Sequence, residues 1–152
     1  GDLIKGVLPV LLYLRMTRGN IDAYFAPVLA APVLGHIFPV FYRFKGGKGI
    51  AVSFGCLLGM LPVSQPLLTL AVIYVVLSVG ICVSPHYYRT IVTYTLFAAV
   101  TALCYSRFNV SVGITLGCLL ISVLIIYRHL KSREAKQKFT VSFAPLQFLI
   151  RR

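Results

Sequence analysis

Long apolar stretches, separated by short polar turns, limit what this chain can fold into more than any other feature of its sequence. One precedes a glycine-rich loop and four follow it: 21–42, then 50–63, 66–83, 90–105 and 108–127. A helix that crosses a bilayer needs about 20 predominantly apolar residues. The stretches at 66–83 and 108–127 are long enough by themselves. Those at 50–63 and 90–105 must borrow flanking residues or be buried in protein.

The composition agrees with a membrane protein. Of the 152 residues, 59% are hydrophobic and only 12% are charged, and the mean hydropathy is +0.89. Soluble domains carry about 25% charged residues, so a chain with about half that fraction has too few charged groups to form a water-soluble surface. We predict an all-α, polytopic integral membrane bundle of about five to six helices, some of them short or broken, in a lipid bilayer. Residues 1–152 are predicted to form a single domain.

Prolines interrupt the first of these stretches. Pro27, Pro32 and Pro39 all lie within 21–42, and each removes a backbone donor and tends to kink a helix. Irregular backbone at membrane depth is tolerated only where protein covers it or where it lines a cavity. We therefore predict that this segment shapes a cavity.

The net charge of +12 is distributed as expected for a membrane protein. Cations collect at the ends of apolar stretches, which follows the rule that cytoplasmic loops are rich in Lys and Arg. If the glycine-rich loop is cytoplasmic, four crossings return the basic tail after residue 127 to the same side. Binding to nucleic acid, the usual alternative for a basic chain, is not supported.

The N-terminal residues include a pair of opposite charges. Asp2 and Lys5 lie three residues apart, on one face of a helix. Charges within a span usually pair or face the interior of the bundle. We expect the chain to begin partway along a helix, with an N-terminal portion missing. The alternative is an ion pair at a true terminus beside the membrane.

The four cysteines do not predict a metal centre. They lie within apolar stretches without Cys-x-x-Cys spacing, which is typical of small buried hydrophobic residues rather than of ligands or disulfides. They are Cys56, Cys82, Cys104 and Cys118. No metal site and no cofactor are predicted.

The loop between the first two long stretches has the chemistry of an anion site. Residues 45–49 read Lys-Gly-Gly-Lys-Gly, and Arg43 adds a third cation. Successive glycine amides can converge on an anion, and Gly49 would open the next helix, whose N-terminus is partially positive. The pattern differs from a Walker loop, which needs Gly at Tyr42 and Ser or Thr at Gly49. A phosphate-bearing ligand is favoured; the alternative is a flexible basic turn that touches lipid headgroups.

The sequence around this loop resembles a known family. Residues 35–51, GHIFPVFYRFKGGKGIA, are similar without gaps to the second signature motif of the bacterial acyl-phosphate:glycerol-3-phosphate acyltransferases, the PlsY family. The opening DLIKGVLPV resembles the family segment that follows the first motif. The resemblance extends over residues 2–129.

The resemblance implies a function. Members of the family are integral enzymes of the bacterial cytoplasmic membrane, with their signature loops on the cytoplasmic face. They transfer a fatty acyl group from acyl phosphate to the 1-hydroxyl of glycerol 3-phosphate, a step of phospholipid biosynthesis that gives lysophosphatidate and phosphate. The implied partners are therefore acyl phosphate, glycerol 3-phosphate and the bilayer.

The resemblance also implies site residues. The substrate-binding candidates are Arg43, Lys45, Gly46, Gly47 and Gly49. The catalytic candidates are His36, Lys48 and His129. For His36, a polar helix residue satisfied by a neighbouring carbonyl is the alternative. Because acyl phosphate is already activated, positioning and charge neutralisation can supply much of the catalysis without a strong base.

Two other classes of function stay open from the sequence. Ser132 stands where the third motif of the family has Asn, which is compatible with a non-catalytic relative that binds lipid phosphates or regulates a membrane partner. A small-anion transporter would also use broken helices, but transporters usually show paired interruptions in two halves. Here the interruptions are concentrated before residue 66, which argues against transport.

Overall fold

The structure, a computed structural model, describes residues 1–40, 46–80, 83–84, 86–105, 111–131 and 140–141. Within these ranges the chain forms six α-helices. They are α1 (Asp2–Met16), α2 (Phe25–Ile37), α3 (Ile50–Leu58), α4 (Gln65–Val75), α5 (His86–Val100) and α6 (Val112–Leu130). The prediction of an all-α bundle with short segments is confirmed.

Two helices continue into π-helical turns, and two short strands form one antiparallel pair. α4 continues as a π-helical turn over Val76–Gly80, and α5 does so over Thr101–Tyr105. The two-residue strands β1 (Val83–Ser84) and β2 (Thr140–Val141) pair in the antiparallel sense. A segment of the tail therefore lies beside the start of α5.

The helices differ in their ability to cross a bilayer. Among the described residues only α6, with 19 residues and a mean hydropathy of 1.8, is long and apolar enough for this by length and composition. α2 and the continuous helix Gln65–Gly80 are apolar but shorter. The prediction that 108–127 is long enough is thus confirmed. The described helix over the stretch 66–83 ends at Gly80 and is shorter than a full span.

The core lies where the helices meet, and the outer surface is rich in exposed aliphatic side chains. The largest buried side chains include Phe25, Leu29, Leu57, Met60, Leu70, Tyr94, Phe97, Ile121 and Ile125. Exposed aliphatic side chains occur on α1, α4, α5 and α6: Ile4, Leu8, Leu68, Val72, Leu96, Leu116 and Val123. Such an outer surface fits contact with lipid chains and would be costly in water.

Two of the cysteines are described with their side chains. Cys56 and Cys118 are free and buried, as predicted for small hydrophobic residues. Cys82 and the side chain of Cys104 lie outside the described part of the chain.

Glycines allow α1 and α3 to pack closely. A methyl group on Gly6 would lie 2.2 Å from the carbonyl oxygen of Val52, and one on Gly55 would lie 2.1 Å from that of Leu3. Gly59, one turn beyond Gly55, continues the same contact. Small residues spaced by four are typical of close helix contacts in membranes. This contact fixes the N-terminal half of α1 beside α3.

A second glycine pair packs α6 on α2. A methyl group on Gly113 would lie 1.9 Å from the carbonyl oxygen of Asp22, and one on Gly117 would lie 2.6 Å from Leu29 Cδ1. At the same end of the bundle, Ser111 Oγ donates to the carbonyl oxygen of Ile21 at 2.8 Å. The contact sets α6 against the full length of α2, so the C-terminus of α6 lies near the C-terminus of α2.

Candidate functional site

A cavity of about 610 Å³ opens at the end of the bundle where α1 begins and α2 ends. Its apolar wall consists of Pro9, Ala31, Pro32 and Pro39. Its polar rim consists of Lys5, His36, Gly46 and Gly47, and Gly35 completes the lining. The prediction that the proline-rich segment shapes a cavity is confirmed, since Pro32 and Pro39 line it. α2 runs through Pro32 without ending and stops before Pro39.

An acidic residue lies between two basic ones at this rim. Asp2 Oδ1 lies 2.9 Å from Lys5 Nζ and 3.8 Å from His36 Nδ1. The predicted Asp2–Lys5 pair is therefore present. Because Nδ1 faces the carboxylate, the opposite ring nitrogen of His36 faces the glycine loop. The spacing of Asp2 and Lys5 predicted the ion pair, but it could not show that His36 lies beside it, since His36 is more than 30 positions away along the chain.

Gly47 packs against the imidazole of His36. A methyl group on Gly47 would lie 2.2 Å from His36 Nε2, and the amide of Gly47 donates to the carbonyl oxygen of His36 at 3.2 Å. Gly46 is equally confined, because a methyl group there would lie 2.0 Å from the same carbonyl oxygen. The Gly47 amide is thus used within the protein. In this conformation it is not a donor for the predicted anion nest.

Gly49 begins α3, as predicted, and has a left-handed backbone with φ of 80°. Only glycine adopts this conformation readily. A methyl group there would also lie 3.1 Å from Ile37 Cδ1, so the backbone of Gly49 packs on α2. Gly49 therefore directs the N-terminus of α3 toward the loop, where its free amides are partially positive.

Arg128, in the last turn of α6, contacts the same loop. Its Nη2 donates to the carbonyl oxygen of Gly46 at 2.9 Å, and its Nε donates to that of Gly47 at 3.3 Å. In the sequence, Arg128 belongs to the basic tail and to the Arg-His pair that ends the family resemblance, and it was not among the candidate site residues. The available signal was its place directly before the candidate His129, but spacing along the chain does not show which loop the side chain reaches.

The side chain of His129, the next residue, is buried within the bundle. It is 2% exposed, its Nδ1 lies 2.9 Å from the carbonyl oxygen of Ile125, and its ring lies 6.5 Å from that of Tyr87. It is not among the described residues that line the cavity. The geometry is that of a buried histidine that anchors the end of α6, and its catalytic role stays a prediction.

The remaining candidates are less well placed by the structure. Lys48 follows Gly47 and is exposed, and it is not part of the described cavity lining. Arg43 and Lys45 lie outside the described residues. Within the described ranges, no three His, Cys, Asp or Glu residues are grouped so that they could hold a metal ion. The rim can therefore offer the side chains of Lys5 and His36 to an anion, beside an apolar wall.

Comparisons with known proteins point to one family. A family model described as glycerol-3-phosphate acyltransferase matches residues 1–136. A glycerol-3-phosphate acyltransferase of Neisseria meningitidis serogroup C is 36% identical over 145 residues, which are 90% of this chain and 68% of the relative. One from Shewanella loihica is 37% identical over 143 residues, which are 89% of this chain and 64% of the relative.

Two crystal structures of PlsY, an integral membrane glycerol 3-phosphate acyltransferase, share the fold. The lysophosphatidic acid form has a TM-score of 0.66 and 26% identity, over 88% of this chain and 62% of that chain. The glycerol 3-phosphate form has a TM-score of 0.67 and 24% identity, over 97% of this chain and 70% of that chain. The chain thus spans between three fifths and three quarters of the length of these relatives.

Proposed function

The chain belongs to the glycerol-3-phosphate acyltransferase family, and from that premise we propose that it transfers a fatty acyl group from acyl phosphate to the 1-hydroxyl of glycerol 3-phosphate. The products are lysophosphatidate and inorganic phosphate. The reaction takes place in the bacterial cytoplasmic membrane and serves phospholipid biosynthesis.

The cavity at the start of α1 is the observation that carries this proposal. Both substrates bear a phosphate, and acyl phosphate also bears a long apolar chain. The cavity combines a wall of prolines with a rim that holds Lys5, His36 and two loop glycines. Polar and apolar surfaces that meet in one concave site suit an amphipathic substrate.

In the proposed reaction the 1-hydroxyl oxygen attacks the acyl carbonyl carbon, and the bond between this carbon and the phosphate oxygen breaks. The hydroxyl proton passes to His36 Nε2 or to the departing phosphate. Asp2 lies 3.8 Å from Nδ1 of the same ring, and Nε2 is directed toward the glycine loop. Lys5 and Lys48 offset the negative charge of the two phosphates. Because the acyl group arrives activated, holding the reactants together supplies a large part of the rate.

Acyl transfer by the purified full-length protein in detergent tests the proposal directly. We expect labelled glycerol 3-phosphate to be converted to lysophosphatidate when acyl phosphate is present, with release of one phosphate for each product molecule. Omission of either substrate is the control. If correctly folded protein gives no transfer, the proposal fails, and a non-catalytic relative that binds lipid phosphates replaces it.

We further propose that the glycine loop and the C-terminal end of α6 face the cytoplasm. Arg128 bonds to Gly46 and Gly47, so the two segments share one end of the bundle. Arg15, in the last turn of α1, and Arg18, just after α1, lie at the other end. The cytoplasmic assignment rests on the larger number of cations near the loop and in the tail.

Labelling of single cysteines with a membrane-impermeant maleimide tests this orientation. In a variant without the four native cysteines, we expect Lys48→Cys and Lys131→Cys to be protected in intact cells and to react in inverted vesicles. Arg18→Cys, at the opposite end, should show the reverse pattern. Reaction of Lys48→Cys in intact cells would refute the orientation, and opposite behaviour of Lys48→Cys and Lys131→Cys would refute the shared end.

A further inference from the structure

We propose that Arg128 is a positioning residue for the glycine loop. Its guanidinium holds the carbonyl groups of Gly46 and Gly47 and thereby fixes the two peptide planes that lead into Lys48. The loop then keeps the shape in which the cavity rim receives a phosphate. This inference rests on the proposed function, because it assigns to Arg128 the task of preparing that site rather than binding its ligand.

The contact joins distant parts of the chain. Arg128 lies in the last turn of α6, and its two acceptors lie more than 80 positions earlier. The distances are 2.9 Å from Nη2 to the oxygen of Gly46 and 3.3 Å from Nε to the oxygen of Gly47. These nitrogens form one edge of the planar guanidinium, so a single rigid group holds two successive carbonyls.

The Gly46–Gly47 peptide is held from both sides. In a trans peptide the carbonyl and the amide point in opposite directions. The carbonyl of Gly46 accepts from Arg128, and the amide of Gly47 donates to the carbonyl oxygen of His36 at 3.2 Å. The loop is therefore clamped between the last turn of α6 and the last turn of α2.

The next peptide is oriented by the same side chain. Because Arg128 Nε holds the carbonyl of Gly47, the amide of Lys48 points away from Arg128. Two consecutive glycines have little conformational preference of their own. An external anchor is therefore needed to give the loop one shape before the substrate binds, which lowers the entropy cost of binding.

The helix backbone that carries Arg128 is itself held in place. His129 is buried, and its Nδ1 lies within hydrogen-bond distance of the carbonyl oxygen of Ile125. Gly113 and Gly117 set the other end of the helix against α2. α6 is thus a rigid support for the side chain. The Nε and Nη2 edge of the guanidinium, which could form paired hydrogen bonds to an anion, is turned toward the protein carbonyls of Gly46 and Gly47.

Two substitutions separate the shape of the guanidinium from its charge. Arg128→Lys keeps the charge but cannot bond to both carbonyls in one plane, and Arg128→Gln removes the charge. We expect both to raise the KM for glycerol 3-phosphate by about tenfold or more, with a smaller change in kcat. Lys131→Gln is the control, because it removes a cation one turn further on that lies over Tyr127 and not on the loop.

Hydrogen–deuterium exchange of the full-length protein gives a readout that does not depend on activity. We expect both Arg128 variants to exchange faster in peptides that cover residues 46–50, while the middle of α6 exchanges at the wild-type rate. Faster exchange supports the proposal even if the wild-type protein shows no acyl transfer, an outcome that would overturn only the proposed function.

Three results would overturn the inference. Unchanged exchange of the loop in both variants would show that Arg128 does not hold it. A higher KM without faster exchange would show that Arg128 contacts the substrate directly. Wild-type KM and exchange in Arg128→Lys, with losses in Arg128→Gln, would show that the charge acts alone.

Discussion

Replacement of Gly47 by alanine is expected to raise the KM for glycerol 3-phosphate by about 10- to 150-fold, the equivalent of one lost hydrogen bond to a charged group. The added methyl group would lie 2.2 Å from His36 Nε2, so either the imidazole or the loop must leave its place. Both line the cavity. The cause is steric, because the left-handed backbone occurs at Gly49 and not at Gly47.

The assay measures acyl transfer by the purified full-length protein while glycerol 3-phosphate is varied. Gly80→Ala is the matched control, since among the described residues its methyl group would meet Val76 Cγ1, at 4.0 Å, and Gly80 is not part of the cavity lining. It should keep the wild-type KM. If Gly47→Ala also keeps the wild-type KM, the loop is a basic turn without a direct part in binding.

Replacement of Gly6 by alanine is expected to lower the free energy of unfolding by about 1–3 kcal/mol, the usual cost of an oversized group in a packed contact. The methyl group would lie 2.2 Å from the carbonyl oxygen of Val52 and 2.7 Å from the amide nitrogen of Cys56. Both are backbone atoms and cannot rotate away. α1 and α3 must therefore separate, which loosens the helix that carries Asp2 and Lys5.

Thermal unfolding in detergent can be followed with a thiol-reactive dye, because Cys56 and Cys118 are buried in the folded protein. The control is Gly35→Ala in α2, where a methyl group would meet none of the described residues within 4 Å. In that position alanine favours the helix by up to about 1 kcal/mol. An unchanged unfolding temperature for Gly6→Ala would show that the two helices are not in close contact.

The sequence predicted those features of the site that depend on neighbouring residues. The run at 45–49 indicated a glycine loop, and Gly49 was expected to open a helix, as it does. The proline-rich segment was expected to shape a cavity, and Pro32 and Pro39 line one. These predictions succeed because helix starts and proline effects are set by backbone groups only a few positions apart.

The separate roles of individual glycines could not be predicted from the sequence. The sequence grouped Gly46, Gly47 and Gly49 as substrate-binding candidates and did not distinguish their roles in binding. The structure places the positive φ at Gly49 and His36 beside Gly47. The small residues of the helix contacts were passed over, although the pairs 55 and 59, and 113 and 117, have the spacing of close membrane contacts.

The sequence by itself determined an all-α chain of apolar helices and the presence of a basic glycine loop, because composition and local spacing are sufficient for both. Only the tertiary structure decided that Arg128 holds the loop, that Asp2 lies beside His36 and that His129 is buried. Such contacts depend on which helix faces pack together. Here that is decided by the fit of Gly113 and Gly117 against α2, a matter of shape between segments more than 80 positions apart.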